Sequence, residues 1–278
     1  MVDATDDLAT NDAAADDAAP VDGSADAASY TLTVEIDGEG TVDLDPGSAE
    51  CTTASSPCGA DFTAGTTVTL SATPGADHVF DHWSGDCGGT TASTTVTVDR
   101  ARRCGASFLG QTGEIGLVQA PASVVPNTTE DDVKIMLFVE QANLELGPPL
   151  AFDSHVPGTF TSTLGQAGGE LPAGTRVNVY FLHFDPVGSG TSGVTRVGTL
   201  ILPQPVLALS YIEGTLDATD PQIGHPNVTY PASGTHPERD LELTGQDEFT
   251  LGDDRRTLAI DYYTSTSSDQ IRIITAAS

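Results

Sequence analysis

The sequence is poor in basic residues and has no long apolar segment. Of its 278 residues, 40 are acidic and 10 are Lys or Arg, so the formal net charge is −30 at pH 7. This acidic excess argues against a phosphate-neutralising surface, and thus against binding to nucleic acid or anionic lipid. No apolar run approaches the roughly 20 residues of a membrane-spanning helix. We therefore predict no transmembrane segment. The acidic residues are best explained as a means of keeping the protein soluble, rather than as a dedicated cation site.

Cysteine is absent after residue 104. The four cysteines, Cys51, Cys58, Cys87 and Cys104, are separated by six, 28 and 16 residues. These spacings lack the close C-x-x-C pair of a zinc site. A disulfide framework, which forms in an oxidising compartment, is the better interpretation. Of the three possible pairings we favour Cys51–Cys58 and Cys87–Cys104, because each closes a local loop beside a predicted strand.

Large apolar side chains are almost absent from residues 1–29, which carry 8 acidic and no basic groups. Such a segment cannot bury enough surface to offset the entropy of ordering. We predict a disordered acidic Ala/Asp linker. An Ala-rich helix is the alternative, but Asp is a poor helix former and like charges repel along a helix. The first residues also lack the features of a signal peptide, so we expect an export signal or lipoprotein anchor outside this sequence.

Alternating apolar and polar residues begin at residue 30. Residues 30–36 alternate with period two and predict a strand, and the Asp-Gly-Glu-Gly turn at 37–40 predicts a hairpin. Residues 65–75 and 95–98 show the same alternation. Between them, residues 80–87, Phe-Asp-His-Trp-Ser-Gly-Asp-Cys, bring together the only tryptophan, a glycine turn and a cysteine.

Taken together, residues 30–109 resemble the divergent internalin-B-type bacterial repeat. The resemblance implies a small β-domain of an exported or surface protein, which the cysteines would staple. It implies no ligand. We place this disulfide-stapled, β-grasp-like domain at residues 30–110.

Strand-like runs recur beyond the polar residues 111–113, where the alternation stops, and no convincing amphipathic helix of three turns accompanies them. About eight strands without crossover helices predict an antiparallel, jelly-roll-like β-sandwich over residues 113–278. The chain as a whole is thus predicted to be all-β. The predicted strands of the second domain are 115–119, 134–141, 176–184, 194–202, 206–212, 248–251, 257–263 and 270–275.

Two segments of the second domain, residues 179–188 and 269–275, resemble a β-sandwich module that recurs in bacterial exported proteins. The resemblance extends over most of residues 114–278 and implies no settled activity. Some members carry C-terminal sorting tags, whereas residues 275–278, Thr-Ala-Ala-Ser, show no hydrophobic sorting segment.

Three patterns mimic active or metal sites. Residues 85–89, Gly-Asp-Cys-Gly-Gly, resemble the G-D-S-G-G turn of trypsin-like proteases, but the only upstream histidines, His78 and His82, are too close to belong to a separate barrel. Four residues of strand span about 13 Å, so these histidines would not share a metal ion. His183 and Asp185 are predicted on one strand face, without a supported nucleophile. All three patterns are better explained as structure.

Asp217 and Asp220 form the best candidate for a metal site. Calcium takes six to eight oxygens, often from spaced aspartates and backbone carbonyls of a loop. The simpler interpretation of residues 217–221 is an Asp-rich turn held by local hydrogen bonds. The prediction to be tested against that turn is a weak calcium site at these two aspartates; no other cofactor is expected.

These patterns predict a non-catalytic, exported cell-surface or envelope protein that displays or spaces a β-sandwich interaction module. Its role would be adhesive, and its partner an unidentified surface protein or glycan. A carbohydrate-binding accessory module is the alternative, because jelly rolls often bind glycans through exposed aromatic rings. The candidate rings are Tyr211, Tyr230, Tyr262 and Tyr263. A hydrolase is a third possibility, without a supporting carboxylate pair or triad. The oligomeric state is not predicted.

Overall fold

The computed structural model describes residues 28–47, 49–161, 168–188, 193–232, 239, 241, 247–264 and 268–277. Strands dominate these residues, so the prediction of an all-β chain is confirmed. The linker predicted at residues 1–29 lies outside them except for residues 28 and 29, and Ser29 already begins the first strand. No helix of the described part is long and apolar enough to cross a bilayer.

The first part of the molecule contains eight strands, which follow the period-two pattern of the sequence. In the first of them Leu32, Val34 and Ile36 are buried while the residues between them are more exposed. The strands are β1 (Ser29–Asp37), β2 (Gly40–Asp45), β3 (Glu50–Thr52), β4 (Cys58–Thr63), β5 (Thr66–Pro74), β6 (His78–Gly85), β7 (Ser93–Val98) and β8 (Arg102–Gly113).

The second part contains the eight predicted strands, three short strands that were not predicted, and a helix. The strands are β9 (Ile115–Leu117), β10 (Ile135–Glu145), β11 (Leu150–Phe152), β12 (Gly158–Phe160), β13 (Gly169–Leu171), β14 (Arg176–Phe184), β15 (Val194–Ile201), β16 (Val206–Ser210), β17 (Glu248–Leu251), β18 (Thr257–Thr264) and β19 (Asp269–Ala276). The helix, α1 (Glu213–Ile223), lies between β16 and β17.

Three sheets build two sandwiches. Sheet I has the strand order β12-β17-β18-β15-β8-β1-β4, and β6 also pairs with β8. Sheet II has the order β3-β2-β5-β7, and sheet III has the order β16-β19-β14-β10-β9. Strands β11 and β13 form a separate pair. Sheets I and II form the first sandwich, and sheets I and III form the second.

Each sandwich has its own apolar core. The first core joins side chains of sheets I and II, among them Leu32, Val34, Trp83 and Phe108 with Val42, Val68 and Leu70. The second core joins sheets I and III, among them Leu200, Leu258 and Tyr262 with Tyr180, Leu182 and Ile271. Sheet I therefore contributes to both cores.

Strand β8 is common to both sandwiches. Neighbouring residues of a strand point to opposite faces, and Phe108 belongs to the first core while Leu109 belongs to the second. The last residues of β8, 110–113, pair with residues 198–201 of β15. The boundary predicted at residues 111–113 therefore lies inside a strand. Alternation stops there because polar residues occupy the strand, not because the strand ends.

Two further expectations require correction. The pairing in the second domain, which was predicted to be antiparallel, is not wholly so, because β9 runs parallel to β10. The second part also contains the three-turn helix α1, which the sequence pattern did not predict. The β-grasp-like and jelly-roll-like details of the two domains stay predictions.

Candidate functional site

Two cystines fasten the first sandwich. Cys51 on β3 is bonded to Cys58, the first residue of β4, with Cα atoms 5.7 Å apart, so this cystine ties sheet II to sheet I. Cys87 is bonded to Cys104 on β8, with Cα atoms 5.1 Å apart. These are the pairs favoured from the sequence. Because its sulfur is in a cystine, Cys87 gives the protease-like segment at residues 85–89 no free thiol.

The turn after β6 engages the basic cluster of the first sandwich. Asp86 Oδ1 accepts hydrogen bonds from Arg102 at 2.7 Å and Arg100 at 3.1 Å, and Oδ2 accepts the backbone N–H of Arg103 at 2.9 Å. The Arg103 N–H, and then the Arg102 side chain, lower the pKa of Asp86. Gly85 has φ of 75°, and a Cβ there would lie 2.4 Å from the Arg103 carbonyl oxygen. Only glycine fits this turn, which the arginines hold in place.

Asp217 and Asp220 lie on α1, and not on the loop predicted for them. The helix buries Leu216, Thr219 and Ile223, which are spaced three and four residues apart on one helix face. This spacing was the available signal for a helix. A glycine, a proline and three acidic residues within the same segment obscured it.

A buried arginine of β19 joins sheet III to α1. Arg272 donates to the two carboxylate oxygens of Glu140 on β10 at 2.6 and 2.8 Å, and to Asp220 Oδ1 at 2.8 Å. It also donates to Thr219 Oγ1 at 2.6 Å and lies over the Phe181 ring, 5.0 Å from the centroid. Burial opposes the charge of Arg272, but Glu140 and Asp220 outweigh burial and raise its pKa. The guanidinium therefore stays charged inside the protein.

A second buried arginine completes this charged network. Arg239 donates to Asp217 Oδ1 at 2.8 Å, to Asp220 Oδ2 at 2.7 Å and, through Nε, to Gln270 Oε1 at 2.9 Å. Asp220 thus accepts hydrogen bonds from both Arg239 and Arg272. We call Glu140, Asp217, Asp220, Arg239 and Arg272 the charged network; it contains three carboxylates and two guanidinium groups.

The two aspartates predicted to bind calcium do lie together, but their neighbours are arginines. A calcium ion would have to take over oxygens that bind Arg239. Within the described ranges, no group of three or more His, Cys, Asp or Glu side chains is placed to hold a metal ion. Calcium at Asp217 and Asp220 stays a prediction.

His183 is a packing histidine that does not pair with Asp185. Its Nδ1 lies 3.2 Å from Gln270 Nε2, an amide donor, so Nδ1 accepts and Nε2 donates to the Thr129 carbonyl at 3.1 Å. Burial lowers the pKa of His183 to about 4. Asp185 instead accepts the backbone N–H of Asn127 at 2.7 Å, and burial raises the pKa of Asp185 to about 6. Both nitrogens of the neutral ring are bound to structural partners.

The tyrosines considered for glycan stacking do not form an exposed platform. Tyr211 and Tyr262 are fully buried, so the expectation of exposed rings is wrong for them. Tyr230 lies 5.6 Å from the Arg272 guanidinium and donates its hydroxyl proton to Glu140. Tyr263 is half-buried. Carbohydrate binding stays a prediction, which the placement of these four rings does not support.

A buried polar cluster lies where the two sandwiches meet. Asp81 and His82 occupy the irregular part of β6 between Phe80 and Trp83, which pair regularly with β8. Asp81 Oδ2 accepts the hydroxyl of Tyr180 on β14 at 2.7 Å and lies 2.8 Å from His82 Nδ1. All three side chains are buried. The Asp81–Tyr180 hydrogen bond therefore connects the two sandwiches away from β8.

Comparison with known families agrees with the first resemblance. Residues 30–111 match the family model of the divergent InlB B-repeat domain, and this family suggests a bacterial surface or cell-envelope protein. The match covers less than half of the chain. No curated protein and no solved structure matches the chain. The resemblance of the second domain to a β-sandwich module of exported proteins stays a prediction.

Proposed function

We propose that this protein is a non-catalytic, exported envelope protein whose repeat domain rigidly displays a β-sandwich interaction module. The observation that carries the proposal is the continuity of β8 through both sandwiches. A module that presents a binding surface at a fixed orientation needs such a joint, whereas a flexible linker would let it rotate.

The junction has little room for a hinge. Rotation of one sandwich against the other would break the ladder between residues 110–113 and 198–201 and the hydrogen bond from Tyr180 to Asp81. At the end of this ladder a Cβ on Gly113 would lie 2.8 Å from the Cα of Gly198. The two backbones are therefore in close contact, which favours a single rigid body.

The proposed location rests on two independent features. The cystines at Cys51–Cys58 and Cys87–Cys104 persist in an oxidising compartment such as the cell exterior. The matched repeat family suggests the same compartment.

The absence of catalysis is proposed because the groups that mimic active sites have structural partners. The Cys87 sulfur is in a cystine, both nitrogens of His183 are hydrogen-bonded, and Asp220 binds two arginines. None of these groups is placed to attack or protonate a substrate.

The location is tested on intact cells of the source bacterium with antibodies raised against the full chain. We expect binding to intact cells to equal binding to permeabilised cells, with an antibody against a cytoplasmic protein as control. Binding that appears only after permeabilisation would contradict the proposed display.

Rigidity is tested by ¹⁵N NMR relaxation on the full chain. We expect one rotational diffusion tensor to describe the amides of both sandwiches. A variant with Gly-Ser-Gly-Ser inserted between Gly110 and Gln111 should require two tensors, because the insertion interrupts β8. Two tensors in the unmodified chain would refute the rigid joint.

A further inference from the structure

Three peptide bonds of the chain join an aspartate to a proline: Asp45–Pro46, Asp185–Pro186 and Asp220–Pro221. An aspartate carboxyl oxygen can attack the carbonyl carbon of its own residue, because the attack is intramolecular and closes a small unstrained ring. The proline nitrogen belongs to a tertiary amide and is more basic than an ordinary peptide nitrogen, so it more readily accepts the proton with which it leaves. An Asp–Pro bond is therefore the peptide bond best suited to cleavage by its own side chain.

One of these aspartates is held from both sides of its reacting bond. Asp185 directly follows β14 and is only 2% exposed. Its carbonyl oxygen accepts the backbone N–H of Asp131 at 2.8 Å, and its Oδ2 accepts the backbone N–H of Asn127 at 2.7 Å. Both donors belong to the segment between β9 and β10, so the carboxyl group lies on the same side of the backbone as the carbonyl group. The Asp131 N–H also stabilises the negative charge that attack places on the carbonyl oxygen.

The surroundings of Asp185 favour its protonated form. Burial, and then the charge of Glu130, raise the pKa of Asp185 to about 6, against the hydrogen bond from Asn127 that lowers it. At pH 5 such a carboxyl is about 90% protonated, whereas a carboxyl with the ordinary pKa of 3.8 is only about 6% protonated. The reactive carboxylic acid is thus available in mild acid. The other ionisable residues on the segments around Asp185 are Asp131, Asp132, Lys134, His183 and Arg196, the last of which binds the Asp132 carbonyl.

We propose that the chain cleaves itself between Asp185 and Pro186 in mild acid. A carboxyl oxygen of Asp185 bonds to the carbonyl carbon of the same residue, the carboxyl proton passes to the proline nitrogen, and the C–N bond breaks. Residue 185 becomes a cyclic anhydride, and Pro186 becomes a new N-terminus. Water then adds to the anhydride and leaves one side-chain and one C-terminal carboxyl group. Each chain reacts once and on itself, so the reaction is separate from the proposed display function.

The other two Asp–Pro bonds are controls within the same molecule. The Asp45 side chain is exposed, so solvent surrounds its carboxyl group. Asp220 is paired with Arg239 and Arg272, and its carbonyl oxygen accepts the Gly224 N–H of α1. In the described part of the chain, only the Asp185–Pro186 bond combines a buried carboxyl with backbone donors to both of its oxygen-bearing groups.

The test is to incubate the purified full chain at a series of pH values and to follow its fragments by mass spectrometry. At pH 5 we expect fragments 1–185 and 186–278 to accumulate at least about tenfold faster than fragments from either other Asp–Pro bond, in line with the difference in protonation. The rate should rise as the pH falls, with a midpoint near pH 6. In guanidinium chloride at pH 5 the three bonds should react at similar rates, because unfolding exposes all three carboxyls. Equal rates in the folded chain, or a preference for residue 185 that survives unfolding, would overturn the proposal.

Two variants assign the reaction to this bond. Asp185→Asn removes the carboxylic acid, and Pro186→Ala keeps the acid but replaces the leaving tertiary amide with an ordinary peptide bond. Both changes should prevent the appearance of fragments 1–185 and 186–278. The matched control is Asp45→Asn, which changes an exposed aspartate that also precedes a proline and should leave cleavage after residue 185 unchanged. If Asp185→Asn does not fold, Pro186→Ala decides, and undiminished cleavage in that variant refutes the proposal.

Hydroxylamine distinguishes self-cleavage from cleavage by a contaminating protease. It reacts with an anhydride to give a hydroxamate, so the fragment that ends at residue 185 should carry a hydroxamate when hydroxylamine is present during the incubation. A protease that hydrolyses the bond through water leaves only the ordinary carboxyl group. A fragment that ends at residue 185 without any hydroxamate would overturn the anhydride step and with it the proposal.

Discussion

The two sandwiches share one sheet but are held together by different chemistry. The first contains all four cysteines, which form two cystines. The second has no cysteine and instead contains the charged network, in which the Arg239 and Arg272 side chains are fully buried. The first core belongs to a segment of roughly 80 residues, a size at which a core alone gives marginal stability. The second core is larger.

This difference separates two ways of stabilising a fold. A cystine acts mainly by restricting the unfolded chain. A buried ion network gains energy only if every charge keeps its partner, because an uncompensated buried charge is expensive. The second sandwich should therefore be the more sensitive of the two to loss of a single side chain.

The largest effect is expected when the charged network is broken at Arg272. The change Arg272→Ala leaves Glu140 buried without its cation and removes one of the two arginines bound by Asp220. Breaking a buried ion pair in this way costs about 3–5 kcal/mol. We expect the free energy of unfolding, measured with urea, to fall by this amount.

The matched control is Arg176→Ala, because Arg176 pairs with Glu145 at 2.8 Å but both side chains are more than half exposed. Such surface pairs contribute about 0–1 kcal/mol. Equal losses in the Arg272 and Arg176 variants would mean that burial does not distinguish the charged network from a surface pair.

Removal of the cystines should have the next largest effect. The loss of stability should be concentrated in the first sandwich. The loop-entropy estimate gives about 3 kcal/mol for Cys87–Cys104 and about 2.5 kcal/mol for Cys51–Cys58. Because both cystines lie in the first sandwich, we expect the double change Cys51→Ala with Cys58→Ala to lower amide-exchange protection in sheet II more than in sheet III. Equal loss of protection in both sheets would show that the two sandwiches open together.

The joint between the sandwiches should be sensitive to a single methyl group. A Cβ on Gly198 would lie 2.6 Å from Ile115 Cγ1 and 2.9 Å from the Thr112 carbonyl oxygen. Overpacking of this kind costs about 1–3 kcal/mol. We expect Gly198→Ala to lower the free energy of unfolding by that amount, measured by chemical denaturation.

The control for Gly198 is Gly147→Ala, since a Cβ at Gly147 would contact no other residue within 4 Å. We expect no loss of stability there. If Gly198→Ala also leaves the free energy of unfolding unchanged, the close approach of β8 and β15 does not require glycine at this position.

Period-two patterns predicted most of the strands but not how the sheets share them. The predicted strands 176–184 and 248–251 coincide with β14 and β17, because buried apolar runs and alternation are local signals. The continuation of β8 is set by its partner β15, which lies some 85 residues away in the chain, so no local signal reports it. The register that joins the two sandwiches is a property of the tertiary structure.

The charged network could not be predicted for a similar reason. Glu140, Asp220 and Arg272 are each ordinary polar residues within their own segments. Strands β10 and β19 both pair with β14, which brings Glu140 near Arg272, and the packing of α1 on sheet III adds Asp220. The sequence singled out Asp217 and Asp220 as a pair of possible metal ligands. It gave no sign that both carboxylates bind an arginine side chain.

The smallest expected effect is a dependence of stability on pH in the second sandwich. The pKa of His183 falls from its ordinary 6.5 to about 4 on folding, so the folded state binds fewer protons than the unfolded state between these values. Stability is therefore lost as the pH falls through this window. The pKa of Asp185 rises from 3.8 to about 6 on folding, and its contribution has the opposite sign, since stability is lost as the pH rises toward 6.

The contributions of His183 and Asp185 to stability offset each other between about pH 4 and 6. Changing each residue separately should reveal the contribution of the other. Relative to the unmodified chain, His183→Gln should lose less stability when the pH is lowered from 7 to 5, and Asp185→Asn should lose more. Urea unfolding at pH 7, 6 and 5 measures both slopes, and taking differences from the unmodified chain removes the contribution of the other carboxylates. Identical slopes in all three proteins would show that folding does not change the pKa of His183 or Asp185. The charged network would then remain as the electrostatic difference between the two sandwiches.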